Sequence, residues 1–75
     1  MTDAIQRLVL DELPHLDSLA EEEDLLAPGM LDSLAIIRVV AALEDQESIT
    51  IEQSEIVPTH FRCLRTIRAL VATKQ

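Results

Sequence analysis

The chain has 75 residues, which is enough for one small domain, and its formal net charge is −8. Nucleic acids and anionic membrane surfaces both attract Lys and Arg, so this charge argues against either as a partner. The residues are 48% apolar, with one aromatic, one glycine and three prolines. That composition offers little turn chemistry for a sheet and therefore predicts an all-α fold.

Several kinds of site are also excluded. Cys63 is the only cysteine, so no intramolecular disulfide can form. His15 and His60 lack metal-ligand spacing, and no glycine-rich phosphate loop is present. We therefore expect no enzyme, no catalytic residue and no metal site. The sequence shows neither a signal peptide nor an apolar run long enough to cross a bilayer, so the expected location is the cytoplasm, without membrane insertion.

A first helix is predicted by the helical spacing of five apolar residues: Ile5, Leu8, Val9, Leu13 and Leu16. Asp3 and Gln6 match a capping box at its start. Pro14 removes a backbone donor, so this helix should end or kink near Leu13.

A long acidic connection follows, from Pro14 to Leu31. A loop of this length is unusual in a compact domain unless it is functional or well packed. We expect four leucines to anchor it to the core: Leu16, Leu19, Leu25 and Leu26. Pro28 and Gly29 predict a turn just before the next helix.

The second helix, LAIIRVVAAL from Leu34 to Leu43, is apolar nearly all round, and Arg38 is its only charged residue. Two interpretations stay open. The helix is either the fully buried central helix, or it leaves an apolar surface near its start for a partner.

The end of the chain predicts a short extended segment around Ile49 and Ile51, a short helix near 53–61 and a last amphipathic helix. All fourteen acids precede Pro58, and four basic residues follow it: Arg62, Arg65, Arg68 and Lys74. We interpret them as a cationic, solvated face that offsets part of the acidic body.

The pentapeptide LDSLA occurs twice, at Leu16–Ala20 and at Leu31–Ala35. Four consecutive acids follow the first copy, so a phosphate ester on Ser18 would be repelled. Ser33 instead opens an apolar helix, with Asp32 as the expected N-cap, and a helix N-terminus stabilises an anionic phosphodiester. A plain helix cap is the alternative for Ser33.

The segment around the second copy, DLLAPGMLDSLAIIRVVAALED (residues 24–45), resembles the central segment of carrier proteins that use 4′-phosphopantetheine. In that family a D-S-L or D-S-F motif opens the second helix. The resemblance implies a four-helix bundle with a long first loop and a short third helix. It also implies that Ser33 accepts the phosphopantetheine arm from coenzyme A.

A later stretch, ITIEQSEIVPTHFRCLRTI (residues 49–67), looks like the pattern of discrete carriers, which include D-alanyl carriers and carriers of bacterial natural-product pathways. By analogy Phe61, Leu64 and Ile67 are core residues and Pro58 starts the third helix. Glu47 and Ser48 depart from the family, which often has an aromatic residue and a glycine there, so we expect weak packing at this point.

The resemblance implies carriage without catalysis: the thiol of the arm holds an acyl or aminoacyl group as a thioester. A phosphopantetheinyl transferase would supply the base and a magnesium ion, and Asp32 would help to orient that complex. An adenylating or other acyl-loading enzyme and a downstream acyltransferase or synthase would then use the carrier as a monomer. The acidic face of fatty-acid carriers is missing, so partners are expected to read apolar contacts, with Arg38 meeting an acid. The expected partner contacts are Met30, Leu34, Ala35, Ile36 and Arg38.

We therefore predict a stand-alone carrier, a single domain over residues 1–75, in bacterial polyketide or nonribosomal peptide synthesis. Three alternatives stay open: a D-alanyl carrier for teichoic acid modification, an unmodified helical interaction module, and an inactive carrier-like adaptor.

Overall fold

The computed structural model describes residues 3–75, and these form four α-helices and one turn of 3₁₀-helix. The α-helices are α1 (Ala4–Leu10), α2 (Ser33–Glu47), α3 (Pro58–Phe61) and α4 (Leu64–Lys74), and the 3₁₀ turn is Gln53–Glu55. The predicted all-α fold, with its long first loop and short third helix, is thereby confirmed. Within residues 3–75, none of the helices has the length and hydropathy needed to span a bilayer.

One apolar core joins the helices and the first loop. Phe61 is the largest of its fully buried side chains, at 1% exposure. The other buried members from the helices and the last connection include Leu8, Val9, Val39, Leu43, Ile51, Leu64, Ile67, Leu70 and Val71. The loop adds Leu13, Leu19, Leu25 and Leu31. A chain with one aromatic residue thus fills its core with branched aliphatic side chains.

Helix α1 is shorter than its apolar pattern predicts. It ends at Leu10 because the N–H groups of Glu12 and Leu13 bond to carbonyls three residues back, which tightens the chain before Pro14. At its start Asp3 accepts a hydrogen bond from the Gln6 backbone N–H at 2.9 Å. The reciprocal half of the predicted capping box is not formed, because the Gln6 side-chain amide donates to the Leu19 carbonyl instead, at 3.2 Å.

The first loop is ordered by buried leucines and by a tight turn. Leu19 and Leu25 are buried, at 6% and 0% exposure, as expected of its anchors. The Met30 N–H donates to the Ala27 carbonyl at 3.0 Å across Pro28 and Gly29, and Gly29 has φ +84°. Proline second and a positive-φ glycine third are the signature of a type II turn. This turn ends the loop two residues before Asp32.

Helix α2 ends in a backbone conformation that suits glycine better than the serine present. Ser48 has φ 56° and ψ 48°, the left-handed region, and its N–H donates to the Glu44 carbonyl. Glycine is usual at such a helix end because it has no Cβ to clash.

We expect Ser48→Gly to raise the free energy of unfolding by about 0.5–1 kcal/mol, since relief of the left-handed strain exceeds the extra entropy of glycine in the unfolded chain. Urea unfolding measures the change. The matched control is Ser54→Gly in the 3₁₀ turn, where φ is negative and glycine should be slightly destabilising. A loss of stability in Ser48→Gly would show that the serine side chain stabilises this helix end.

Candidate functional site

Ser33 is the first residue of α2, and its side chain is exposed. Asp32 precedes it in extended conformation, and its Oδ1 accepts the Ala35 backbone N–H at 2.8 Å, so Asp32 is the N-cap. Leu31 and Ala35, four residues apart, are buried at 6% and 8% exposure. Asp32, Ser33 and Leu34, which lie between these two residues, are exposed.

The two LDSLA copies have different structures. Ser18 is exposed in the first loop, outside any helix, and precedes the acidic run that begins at Glu21. The first turn of α2 after Ser33 carries no acidic side chain, and the next acid along the helix is Glu44. The unpaired N–H groups and positive dipole end of a 15-residue helix therefore lie next to the Ser33 hydroxyl.

An apolar cleft adjoins Ser33, with a volume of about 230 Å³. Ser33 is the one polar residue of the eight that line it; the others are Leu26, Ile36, Ile37, Ile56, Val57, Pro58 and Phe61. The first loop, α2 and α3 each contribute a wall. A group attached to Ser33 can therefore be covered on one side by apolar side chains while its charged end stays at the helix N-terminus.

Three large apolar side chains are exposed in this part of the chain: Ile37 and Val57 line the cleft, and Leu34 follows Ser33 along α2. Leu34, Ile37 and Val57 are 55%, 59% and 37% exposed, and we call these three residues the apolar rim. Ile37 and Val57 were not among the predicted partner contacts. Ile37 lies three residues after Leu34, a spacing that does signal a shared helix face, whereas Val57 joins them only through the tertiary fold.

The predicted partner contacts differ in their accessibility. Leu34 and Arg38 are exposed, and Met30 and Ile36 are half-buried against the core. The expectation that Ala35 contacts a partner is wrong. Ala35 is only 8% exposed, because it lies one turn from the fully buried Val39 on the core face of α2. Its side chain therefore packs inside and is not available to a partner.

Arg38 meets an acid of its own chain. Its Nη1 lies 3.4 Å from Glu12 Oε1, and the arginine side chain is 60% exposed. An exposed pair at this distance contributes little to stability, so the guanidinium can exchange Glu12 for another carboxylate at small cost.

Helix α2 is not fully buried, and an apolar surface is exposed near its start. Val39, Val40 and Leu43 face the core, while Leu34 and Ile37 are exposed. Helical periodicity alone does not say which of two apolar faces becomes buried.

Among residues 3–75, no three His, Cys, Asp or Glu side chains group closely enough to hold a metal ion.

A comparison with protein-family models matches residues 3–73 to the phosphopantetheine attachment site family. The chain therefore belongs to the phosphopantetheine-binding carrier family. Members carry covalently attached 4′-phosphopantetheine and are not enzymes, and they interact with a phosphopantetheinyl transferase and with partner enzymes. Comparisons with curated proteins and with solved structures found no significant match.

Proposed function

We propose that Ser33 carries the 4′-phosphopantetheine arm. The observation that supports this most strongly is that Ser33 is exposed, opens the longest helix and lies at the edge of the apolar cleft. Ser18, in the same pentapeptide, has neither a helix N-terminus nor the cleft. The residues at Ser33 thus fit an anionic phosphodiester with an apolar extension.

When bound, the arm supplies a thiol that holds an acyl or aminoacyl group as a thioester. The protein itself positions the serine to which the arm is attached. Asp32 fixes the start of α2, so that the Ser33 Oγ faces solvent where a transferase can reach it. The helix N-terminus stabilises the phosphodiester. Activation of the hydroxyl is left to the transferase, with its own base and magnesium ion.

We propose that partner enzymes recognise this protein mainly through apolar contacts. In the apolar rim, Leu34 follows Ser33 directly along α2, while Ile37 and Val57 line the cleft together with Ser33. Arg38 is exposed on the same helix. Such a surface suits a transferase, an adenylating or other acyl-loading enzyme, and a downstream acyltransferase or synthase with apolar docking residues and an acid near Arg38.

The biological setting that we propose is a single-domain carrier in bacterial polyketide or nonribosomal peptide synthesis. The resemblance of residues 49–67 to discrete carriers and the apolar rim support it. The second candidate, a D-alanyl carrier for teichoic acid modification, is favoured by the same pattern in residues 49–67. Loading assays with a D-alanine-activating enzyme and with adenylating enzymes of natural-product pathways would distinguish them, because the carrier should be loaded efficiently only by its own kind of partner.

The attachment itself is tested by incubating the protein with coenzyme A and a broad-specificity phosphopantetheinyl transferase. We expect the intact mass to rise by one phosphopantetheinyl group, and peptide fragmentation to place it on Ser33. No mass change, or an adduct on another residue, would contradict the proposal.

For the apolar rim, we expect Ile37→Asp to lower kcat/KM for arm transfer by about tenfold, the effect of losing one apolar contact worth about 1.4 kcal/mol. Its Tm should hardly change, because Ile37 is 59% exposed. The control is Gln46→Asp, which adds the same charge at an exposed position of α2, about 20 Å along the helix from Ser33. Equal losses in both variants would mean that added charge, and not the rim contact, matters.

A further inference from the structure

Two arginines of α4 pair with consecutive glutamates of the first loop. Arg68 binds Glu21 in bidentate fashion, with Nε–Oε1 at 2.8 Å and Nη2–Oε2 at 2.9 Å. Arg65 binds both carboxylate oxygens of Glu22. Arg68 also reaches Asp3 Oδ2, at 2.5 Å. We call these five residues the latch. The basic face of α4, expected to be merely solvated, is thus partly engaged with specific acids.

Backbone hydrogen bonds reinforce the latch. The Arg65 N–H donates to the Glu21 carbonyl at 3.2 Å, and the Leu25 N–H donates to the Arg62 carbonyl at 2.7 Å. The loop from Glu21 to Leu25 is therefore attached along the junction of α3 and α4. Since residues 11–32 contain no helix of their own, these contacts replace the backbone pairing that a helix would provide.

The attached segment leads directly to the Ser33 site. The Leu31 N–H donates to the Leu25 carbonyl at 2.9 Å, and this bond joins the two ends of the 25–31 segment just before Asp32. Leu26, next to Leu25, forms the loop wall of the cleft. A displacement of the loop at Glu21 and Glu22 would therefore move this wall.

Charge supports the geometry. The Arg68 guanidinium lowers the pKa of Glu21, and Arg65 lowers the pKa of Glu22. The Gln6 backbone N–H and then Arg68 lower the pKa of Asp3. These folded-state pKa values lie below the ordinary values of 3.8 for Asp and 4.5 for Glu. The ion pairs therefore stabilise the folded protein fully at a pH above the ordinary pKa values, and this stabilisation is lost as the pH falls through the lowered folded-state pKa values.

We propose that Arg65 and Arg68 are positioning residues for the Ser33 site. Through Glu22 and Glu21 they hold the loop segment whose Leu26 forms one wall of the cleft. The proposal depends on the proposed function only in regarding Ser33 as the attachment site, because the position of the wall is a property of the unmodified chain.

The test uses unmodified protein, amide hydrogen exchange and methyl signals in NMR spectra. In Arg65→Glu we expect the Leu25 and Leu31 amides to exchange about fivefold faster, the upper range for one exposed ion pair. The Val39 and Leu43 amides of α2 should keep their wild-type rates. The methyl signals of Leu26 should shift, since the cleft wall moves.

The charge-swapped variant Glu22→Arg/Arg65→Glu restores the pair and the net charge, and we expect its exchange rates and Leu26 signals to return toward wild type. The control Arg7→Glu makes the same charge change on α1 and should leave Leu25 and Leu31 unaffected. Three results would overturn the proposal: amide exchange at Val39 and Leu43 that accelerates as much as at Leu25 and Leu31, exchange rates that do not recover in the charge-swapped variant, or Leu26 methyl signals that do not shift. None of these outcomes depends on loading of Ser33, so failure of the latch and failure of the carrier function are distinguishable.

Discussion

Replacing Ser33 with alanine is expected to abolish attachment of the phosphopantetheine arm, while replacing Ser18 leaves attachment complete. Both serines lie in the same pentapeptide and both are exposed, so local sequence and access are matched. They differ in setting, because Ser33 opens α2 beside the apolar cleft and Ser18 lies in an acidic loop. Intact mass after incubation with a transferase and coenzyme A measures the difference.

The fold of the Ser33→Ala protein should be unchanged, which keeps the result interpretable. Ser33 lies outside the core, alanine is a good helix former, and the cap made by Asp32 is retained. Circular dichroism and Tm of both variants check this. Attachment that persists in Ser33→Ala would overturn the assignment, and a loss in Ser18→Ala would show that the transferase reads the first loop as well.

Replacing Phe61 with alanine is expected to lower the free energy of unfolding by about 3–5 kcal/mol, through lost transfer energy and the cavity left behind. Phe61 is 1% exposed and is the largest fully buried side chain. A chain of this length has a total stability of only about 4–11 kcal/mol, so the variant should lose a large fraction of it. Urea denaturation followed by circular dichroism measures the loss.

A milder substitution at the same position separates the effect of lost side-chain volume from the effect of unfolding. Phe61→Leu keeps an apolar side chain in the site and should cost about 1–2 kcal/mol. Because Phe61 also lines the cleft beside Ser33, this milder variant tests whether the cleft affects attachment in a folded protein. A loss below about 1.5 kcal/mol in Phe61→Ala would mean that neighbouring side chains close the cavity.

Much of the architecture could be predicted from local signals. Apolar spacing indicated the helices, Pro28 with Gly29 indicated the turn, and Asp32 indicated where α2 begins. The predictions for α1 were wrong where a local capping or helix pattern competes with contacts to other parts of the chain. Gln6 bonds to Leu19 and not to its own helix start. α1 stops at Leu10 because the chain tightens ahead of Pro14.

The site was predicted unevenly for the same reason. Ser33 is signalled by its neighbours in sequence. The rim is not, because the burial of Ala35 and the exposure of Ile37 depend on which face of α2 meets the rest of the bundle. Val57 joins the rim only through the packing of the segment before α3.

The sequence by itself determined the helices, the turn before α2 and the motif at Ser33, because capping, periodicity and turn chemistry act over a few residues. Only the tertiary structure decided which apolar face of α2 is exposed, where the cleft lies, and that Arg68 meets Glu21, 47 positions away. Contacts between residues so far apart in sequence depend on how the whole chain packs, and no local pattern records them.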